Sequence, residues 1–467
     1  MNSRNESIDA LRGLAILAMV LSGSIAFGGV LPAWMYHAQV PPPTHVFNPQ
    51  IPGITWVDVV FPFFLFSMGA AIPLALQRKI QDGLSFVSML QIALKRFVLL
   101  AFFALFTQHM KAWVIAENPT YKQHLLSIMA FVLLFFQLYS NPNQKHKKVF
   151  IALKAISFCV SIYLLSFLPF WKGKGFDFYK SDIILMVLAN MAFFGIIIYY
   201  FTYKNIWVRV GVLPFIMAVF LAAKDPSNSF AKSIFNFNEI MNYKFDWLYK
   251  FYFLKYLFII IPGTIAGDLV LNSKVSNAKS NYTNLILPPL IVSFIIVFNI
   301  YALYTRQLTL NVIVTLVTAC LTHKYFFNND KQSVQYKFSL VGFYLLLLGL
   351  FFEAYEGGIK KDSSTYSYYF VTSGLSFLTL NVFYSLVKLN FFKQLITFLA
   401  INGKNPMVAY VTGSLLILPM LSLTQTKPFY DALNGNAFLG LLKGMLFTGL
   451  VSIITIFFVK QKWFWKT

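Results

Sequence analysis

The chain has 467 residues, of which 58% are hydrophobic, 18% are aromatic and only 12% are charged. In a soluble domain roughly a quarter of the residues are charged, so this composition excludes an ordinary soluble protein. The net charge of +22 lies mainly in loops that flank apolar runs, as membrane anchoring requires, and no nucleic-acid partner is expected.

The predicted elements are apolar runs of about 20 residues, which is the length of a transmembrane helix. Without water every backbone group has to be satisfied within its own segment, and the chain lacks the alternating pattern of a membrane barrel. We therefore expect an all-α, polytopic transmembrane helix bundle of about 14 spans, in the range of about 12–14. In chain order the spans are expected near residues 9–28, 54–76, 93–110, 124–139, 149–170, 183–202, 206–223, 251–271, 283–304, 308–326, 337–354, 367–388, 400–423 and 436–459.

The positions of Lys and Arg predict the orientation of this bundle. The first loop predicted on the outer side, residues 29–53, contains neither residue type. Both termini are therefore expected in the cytoplasm, the start of the chain is read as an uncleaved first span, and the membrane is expected to be a bacterial inner membrane. The cations of the predicted inner loops are Arg78, Lys79, Lys95, Arg96, Lys145, Lys147, Lys148, Lys324, Lys331 and Lys337.

A histidine and a carboxylate lie close to the start of the second span. His37 falls in a Pro-rich outer loop, and Asp58 falls in the outermost turn of the span. Imidazole is the usual general base near neutral pH, although a loop histidine is more often a surface residue. A carboxylate where a helix enters hydrocarbon needs a partner, and with Thr55 it also has the spacing of a helix cap. Both roles are compatible, because such a carboxylate can orient an imidazole from the adjoining loop.

Two segments at predicted cytoplasmic helix ends offer groups that bind anions. In the first span Asp9 and Arg12 lie three residues apart, which suits an ion pair or, for Arg12, phosphate binding. Later, INGKNP places Lys404 and Asn405 before Pro406, at a helix N-terminus that can bind an anion. Turn chemistry alone also explains this second segment, so both interpretations remain open.

The other unusual residues of the spans are interpreted structurally. Cys159 and Cys320 lie in apolar runs and are expected to be buried free thiols, with no disulfide or metal site. Gly263 and Gly267 predict close packing in the eighth span. Asp268 falls at the inner end of that span, where we expect it to be solvated.

Several segments, in this order, resemble the membrane acetyltransferases typified by lysosomal heparan-α-glucosaminide N-acetyltransferase. SIDALRGL in the first span is similar to the family's Asp-x-x-Arg-Gly run, and TWVDVVFPFFLFSMG at residues 55–69 matches its most specific block. Further matches are FDWLYK, STYSYYFVTSGLS, GKNPMVAYV and the basic-aromatic end KQKWFWKT. The resemblance therefore extends from one end of the chain to the other.

The chain is longer than the family pattern in two respects. It has two extra helix pairs, near residues 124–170 and within 283–354, in what we expect to be one transmembrane domain over residues 1–467. It also has a longer outer loop, with PPPTHVFNPQIPG in place of a short turn. Helices added in pairs keep the motifs on their proper sides of the membrane, so the departures affect the identity of the acceptor more than the reaction type.

The resemblance implies that the chain transfers an acetyl group from cytosolic acetyl-CoA to an amino sugar on the periplasmic or extracellular side. His37 and Asp58 are then catalytic, and we favour His37 as general base in a ternary complex over an acetyl-histidine intermediate. We expect no metal cofactor. The expected partners are the lipid bilayer and, in a homodimer, a second copy of the chain. The remaining assignments are Arg12, Lys404 and Asn405 for acetyl-CoA and Trp34, Trp56 and Asp246 for the saccharide acceptor.

Two alternative functions remain open at this point. A multi-span transporter of an amino sugar or related solute would also need about this many helices, although no inverted internal repeat is visible. An O-acetyltransferase of a cell-surface polysaccharide would keep the chemistry and change the acceptor atom from nitrogen to oxygen.

Overall fold

The computed structural model describes residues 5–139, 147–225, 227–240, 243–273, 282–329 and 333–466. Regular structure in these ranges is helical apart from one antiparallel hairpin of β1 (Glu239–Ile240) and β2 (Tyr243–Lys244). The α-helices are α1 (Glu6–Ser22), α2 (Trp56–Gln81), α3 (Phe86–His109), α4 (Ala112–Ile115), α5 (Tyr121–Leu138), α6 (Lys147–Phe167), α7 (Phe170–Gly173), α8 (Ile183–Thr202), α9 (Ile206–Ala222), α10 (Ser229–Phe235), α11 (Leu257–Leu271), α12 (Tyr282–Tyr304), α13 (Leu308–Asn329), α14 (Val334–Tyr355), α15 (Tyr366–Leu389), α16 (Lys393–Gly403), α17 (Pro406–Thr412), α18 (Leu418–Leu423), α19 (Lys427–Ala432) and α20 (Ala437–Lys460).

Within the described residues, 12 helical segments are long and apolar enough to cross a membrane. The α9 helix is a shorter apolar helix, and α1 has 17 residues. The predicted all-α polytopic bundle is therefore confirmed, and each predicted span overlaps helical structure. Two of the inner-loop cations used for the orientation, Lys145 and Lys331, lie outside the described residues.

The thirteenth predicted span begins later than expected. Residues 400–403 are the end of α16, and the membrane-length segment runs over Pro406–Leu423 as α17, a π-helical turn at Gly413–Ile417, and α18. The break falls at Lys404 and Asn405, because Pro406 has no N–H to continue a helix and suits the first helical turn.

The helices divide into two compact units, each built from three separated stretches of chain. The first unit comprises Met1–Ser85, Ile198–Leu213 and Lys255–Gly403, and the second comprises Phe86–Ile197, Pro214–Leu254 and Lys404–Thr467. In the first unit α2 packs on α11, α1 packs on α16 and α2, and α14 packs on α15. In the second unit α5 packs on α6, and α17 packs on α20.

Two glycines allow the close approach of α11 to α2. A Cβ atom on Gly263 would lie 2.4 Å from the carbonyl oxygen of Phe66, and one on Gly267 would lie 2.3 Å from that of Ala70. Small residues at a helix interface let two backbones come together in this way. The predicted close packing of the eighth span is confirmed.

The expectation that Asp268 is solvated is wrong. Asp268 is buried in the first unit and forms an ion pair of 2.6 Å with Arg209, whose side chain is fully buried. Tyr199 donates a hydrogen bond of 3.0 Å to the same carboxylate, and Arg209 donates to the hydroxyls of Thr202 and Thr264. A buried carboxylate needs such partners, since burial removes the water that would otherwise solvate it.

The two cysteines are exposed, which corrects the expectation of buried thiols. In a transmembrane helix an apolar run includes residues that face lipid as well as residues that face the protein, so an apolar neighbourhood in sequence does not establish burial.

Candidate functional site

The start of α2 fixes the position of Asp58. Thr55 is the N-cap residue, and its hydroxyl accepts a hydrogen bond of 3.2 Å from the N–H of Val57. In return, Asp58 Oδ2 accepts one of 3.0 Å from the N–H of Thr55. This capping box satisfies helix N–H groups that have no partner within the helix. The spacing of Thr55 and Asp58 predicted the cap, which is confirmed.

His37 uses the remaining oxygen of the same carboxylate. The distance from His37 Nδ1 to Asp58 Oδ1 is 2.7 Å, and the N–H of Ala38 donates to Asp58 Oδ2 at 3.2 Å. The Asp58 side chain is only 3% exposed, whereas the His37 ring is 38% exposed. An ionised carboxylate only accepts hydrogen bonds, so Nδ1–H is the donor in this contact and Nε2 carries the lone pair of the neutral imidazole.

The loop that carries His37 is anchored by its neighbours in the chain. The phenol of Tyr36 donates a hydrogen bond of 2.5 Å to the carbonyl of Ala26, and burial raises the pKa of this phenol. The hydroxyl of Thr55 donates to the carbonyl of Tyr36 at 2.7 Å. His45 accepts from the N–H of Gly28 at 3.0 Å and packs against Tyr36. His45 therefore braces the loop.

Lys361 is a member of the site that the sequence analysis did not identify. Its ammonium nitrogen lies 3.2 Å from His37 Nδ1, 3.4 Å from His37 Nε2 and 4.0 Å from Asp58 Oδ1. It belongs to the segment between α14 and α15. The sequence held one signal for this residue. Lysine is disfavoured in the outer loops of a membrane protein, and Lys361 falls in a predicted outer loop.

The long insert at residues 41–53 packs on the segment that carries Lys361. The N–H of Gly53 donates to the carbonyl of Ile359 at 2.8 Å, and the N–H of Asp362 donates to the side chain of Gln39 at 2.9 Å. Gln39 and Asn48 are also joined by a backbone hydrogen bond of 2.9 Å. The insert therefore helps to hold Lys361 beside the imidazole.

Trp34 and Trp56, two residues predicted to bind the acceptor, line one cavity of about 440 Å³. Its other walls are Thr55 and the last turns of α12. Thr55 also contacts Asp58, so the cavity and the His37–Asp58 pair share a wall. The structure thus brings four of the predicted site residues together within the first unit.

Arg12, predicted to bind the donor, is held by protein groups. It lies 3.3 Å from Asp9, and it donates to the hydroxyl and the carbonyl of Ser67 at 3.3 and 3.1 Å. Beside it a Cβ atom on Gly13 would lie 1.8 Å from the carbonyl oxygen of Leu399. The predicted ion pair with Asp9 is confirmed, and phosphate binding by Arg12 stays a prediction.

The other three predicted residues lie in the second unit. Asn405 is fully buried, and its amide donates to the carbonyl of Trp463 at 2.8 Å and accepts from the N–H of Trp465 at 3.2 Å. Both ends of this amide thus hold the C-terminal segment, which gives no support to a role in donor binding. Lys404 is half-buried. Asp246 accepts a hydrogen bond of 2.9 Å from the exposed phenol of Tyr179, and this bond raises the pKa of the phenol.

Among the described residues, no cluster of three or more His, Cys, Asp or Glu has the arrangement of a metal site. The site therefore offers an imidazole, a carboxylate and an ammonium, which together can accept a proton and stabilise negative charge on an oxygen.

Comparison with known proteins places the chain in a family. No curated protein matches the chain. One family model matches residues 4–270, which is more than half of the 467 residues. His37, Asp58 and Arg209 lie within the matched stretch, and Lys361 lies beyond it. The chain belongs to the family described as Domain of unknown function (DUF5009).

Proposed function

We propose that this membrane protein is an acetyltransferase that uses acetyl-CoA and an amino-sugar acceptor. The observation that carries the proposal is the imidazole of His37, which lies 2.7 Å from a buried carboxylate and 3.2 Å from an ammonium. The resemblance of the motifs to the heparan-α-glucosaminide N-acetyltransferase family supports the choice of donor and acceptor. A bacterial inner-membrane location and a homodimer are further parts of the proposal.

In the proposed reaction the acceptor amine attacks the carbonyl carbon of the thioester. Nε2 of His37 takes a proton from the attacking nitrogen, a C–N bond forms and the C–S bond breaks. The imidazolium then gives its proton to the departing thiolate, so the products are the acetamide and free CoA. Asp58 keeps the proton on Nδ1 and stabilises the imidazolium, as the carboxylate does in Ser–His–Asp sites.

Lys361 supplies a positive charge where the reaction develops a negative one. Attack on the thioester places charge on the carbonyl oxygen, and a donor already oriented toward that oxygen stabilises the transition state. The ammonium lies 3.4 Å from Nε2 of His37, so in the proposed complex it would lie beside the reacting carbonyl.

We expect Lys361→Met to lower kcat by about 10²-fold with a smaller change in KM, because the charge acts mainly in the transition state. Lys361→Arg should recover part of the rate. The matched control is Lys360→Met, one residue earlier in the same segment, which should keep the rate of the unmodified protein. A kcat for Lys361→Met equal to that of the control would contradict this role for Lys361.

The donor is proposed to come from the opposite side of the membrane. Arg12 and Lys404 fall at predicted cytoplasmic helix ends, where cations suit the phosphates of CoA. The pantetheine arm would then extend between helices toward His37. With the donor bound from the cytoplasmic side and His37 on the outer side, the enzyme has no need to carry the acceptor across the bilayer.

A transporter is the main alternative, because a buried ion pair such as that of Arg209 with Asp268 marks substrate pathways in some membrane proteins. Every polar group of Arg209 is, however, already bonded to Thr202, Thr264 or Asp268, which suits a structural role. The test is to incubate the purified protein with labelled acetyl-CoA and glucosamine. The proposal predicts labelled N-acetylglucosamine and free CoA, whereas glucosamine binding or uptake without acetyl transfer would favour a transporter.

A further inference from the structure

The cavity lined by Trp34 and Trp56 has walls of a kind that binds hydrocarbon. Its lining is aromatic and aliphatic, with Trp34, Trp56, Tyr301 and Tyr304 as the largest members. Its volume of about 440 Å³ lies within the range of about 300–1,000 Å³ that is typical of small-molecule sites. A saccharide needs many hydrogen-bonding groups, and this lining supplies few.

The cavity opens along the surface of a helix that faces lipid. The lining residues Val297 and Tyr301 of α12 are 68% and 53% exposed, and they belong to a segment apolar enough to span the membrane. A side chain that is exposed on such a segment contacts hydrocarbon. Exposure on such a segment indicates that the cavity opens on the lipid-facing side of α12.

The cavity adjoins the reactive groups through Thr55. Its lining residue Thr55 donates its N–H to Asp58, and Trp34 precedes His37 by three residues. Aromatic residues gather at the level of the lipid headgroups, where one end of a ligand is apolar and the other is polar. The indole N–H of Trp56 is buried and finds no acceptor among the described residues.

From these observations we infer that the acceptor is an amphiphile, with an amino-sugar head beside His37 and a hydrocarbon tail in this cavity. The inference rests on the proposed acetyl transfer and specifies its substrate class. When the hydrocarbon tail occupies the cavity, the amino-sugar head is held at the depth of the His37 imidazole. The reacting amine then stays close to Nε2. Such positioning lowers the entropic cost of bringing the two reactants together.

The kinetic test compares glucosamine with an alkyl glucosaminide of about ten carbons, both presented to the protein in lipid nanodiscs. The unmodified protein should show a KM about tenfold lower for the alkyl form. Val297→Trp fills the mouth of the cavity, and since this position is exposed the variant should fold. It should abolish the tenfold difference and leave kcat/KM for glucosamine unchanged. Ile300→Trp, which fills the wall, should act in the same way.

The matched control is Leu290→Trp, on the same helix and 60% exposed but outside the cavity, which should keep the preference for the alkyl form. A second readout is independent of catalysis: an alkyl glucosaminide with a diazirine in its tail should label residues 297–305 on illumination. Val297→Trp should abolish this labelling, and Leu290→Trp should retain it.

The two readouts separate this inference from the proposed function. Acetylation of glucosamine without preference for the alkyl form, and without labelling of the cavity, would overturn the inference and leave the transferase intact. Labelling of the cavity with no acetylation of either acceptor would support the binding site and overturn the transferase. Displacement of the label by a long-chain acyl-CoA, but not by excess unlabelled alkyl glucosaminide, would assign the cavity to the donor and also overturn the inference.

Discussion

His37→Ala is expected to abolish acetyl transfer while the protein still binds CoA. A positioned general base contributes about 10²–10⁴-fold to a rate, and a residue that carried the acetyl group would be required absolutely. The alanine leaves Asp58 with its capping bonds to α2, so the fold should persist. The measurements are turnover of labelled acetyl-CoA and binding of CoA by calorimetry.

The control for this experiment is His45→Ala. His45 lies in the same loop, and its Nε2 accepts a bond from the N–H of Gly28. We expect this variant to lose some thermal stability and to keep acetyl transfer. Full activity in His37→Ala would refute the assignment of the site, because the reaction would then not require the imidazole of His37.

The second large effect is expected for the buried ion pair. Asp268→Ala leaves the guanidinium of Arg209, fully buried, without its 2.6 Å partner. Removal of one member of a buried pair costs about 3–5 kcal/mol, because the other charge remains in a medium that does not solvate it. The measurement is the free energy of unfolding, or the thermal midpoint, of the detergent-solubilised protein.

A double variant provides the control for this prediction. Replacement of both members by apolar residues of similar size is often neutral, so Arg209→Met with Asp268→Leu should be more stable than Asp268→Ala alone. A double-mutant cycle separates the energy of the pair from the effects of the single changes. Additive losses, or a loss below about 1 kcal/mol for Asp268→Ala, would show that the pair is not a structural element of the first unit.

The helices could be predicted because their cause is local. A run of apolar residues long enough to span a bilayer has to satisfy its own backbone, so length and hydrophobicity alone predict a helix. The capping box at Thr55 and Asp58 is local in the same sense, since the two residues lie within one helical turn. His37 could be paired with Asp58 because a loop of only about 20 residues joins them.

The features that the sequence analysis missed depend on contacts between distant segments. Lys361 lies 324 positions from His37 in the chain, and no pattern near either residue indicates that they meet. Asp268 was expected to be solvated because hydropathy does not reveal a partner 59 positions away. The exposed face of a lipid-facing helix is as apolar as its packed face, which is why the positions of the cysteines were predicted wrongly.

The break between α16 and α17 shows a different limit. Hydrophobicity continues across Lys404 and Asn405, so the run at residues 400–423 reads as one span. The chain nevertheless ends one helix at Gly403 and begins another at Pro406. The amide of Asn405 is bonded there to the C-terminal segment at Trp463 and Trp465, a contact that only the folded chain provides.

We propose that the protein passes acetyl from CoA on one side of the membrane to an amine at His37 on the other. The most direct measurement uses proteoliposomes that contain glucosamine inside, with labelled acetyl-CoA added outside, for the unmodified protein and for His37→Ala. The relevant vesicles hold the unmodified protein with its predicted cytoplasmic side facing outward. In these vesicles we expect labelled N-acetylglucosamine inside and free CoA outside. With the His37→Ala variant we expect no product. Absence of product with both proteins, or glucosamine release that does not require acetyl-CoA, would contradict this proposal.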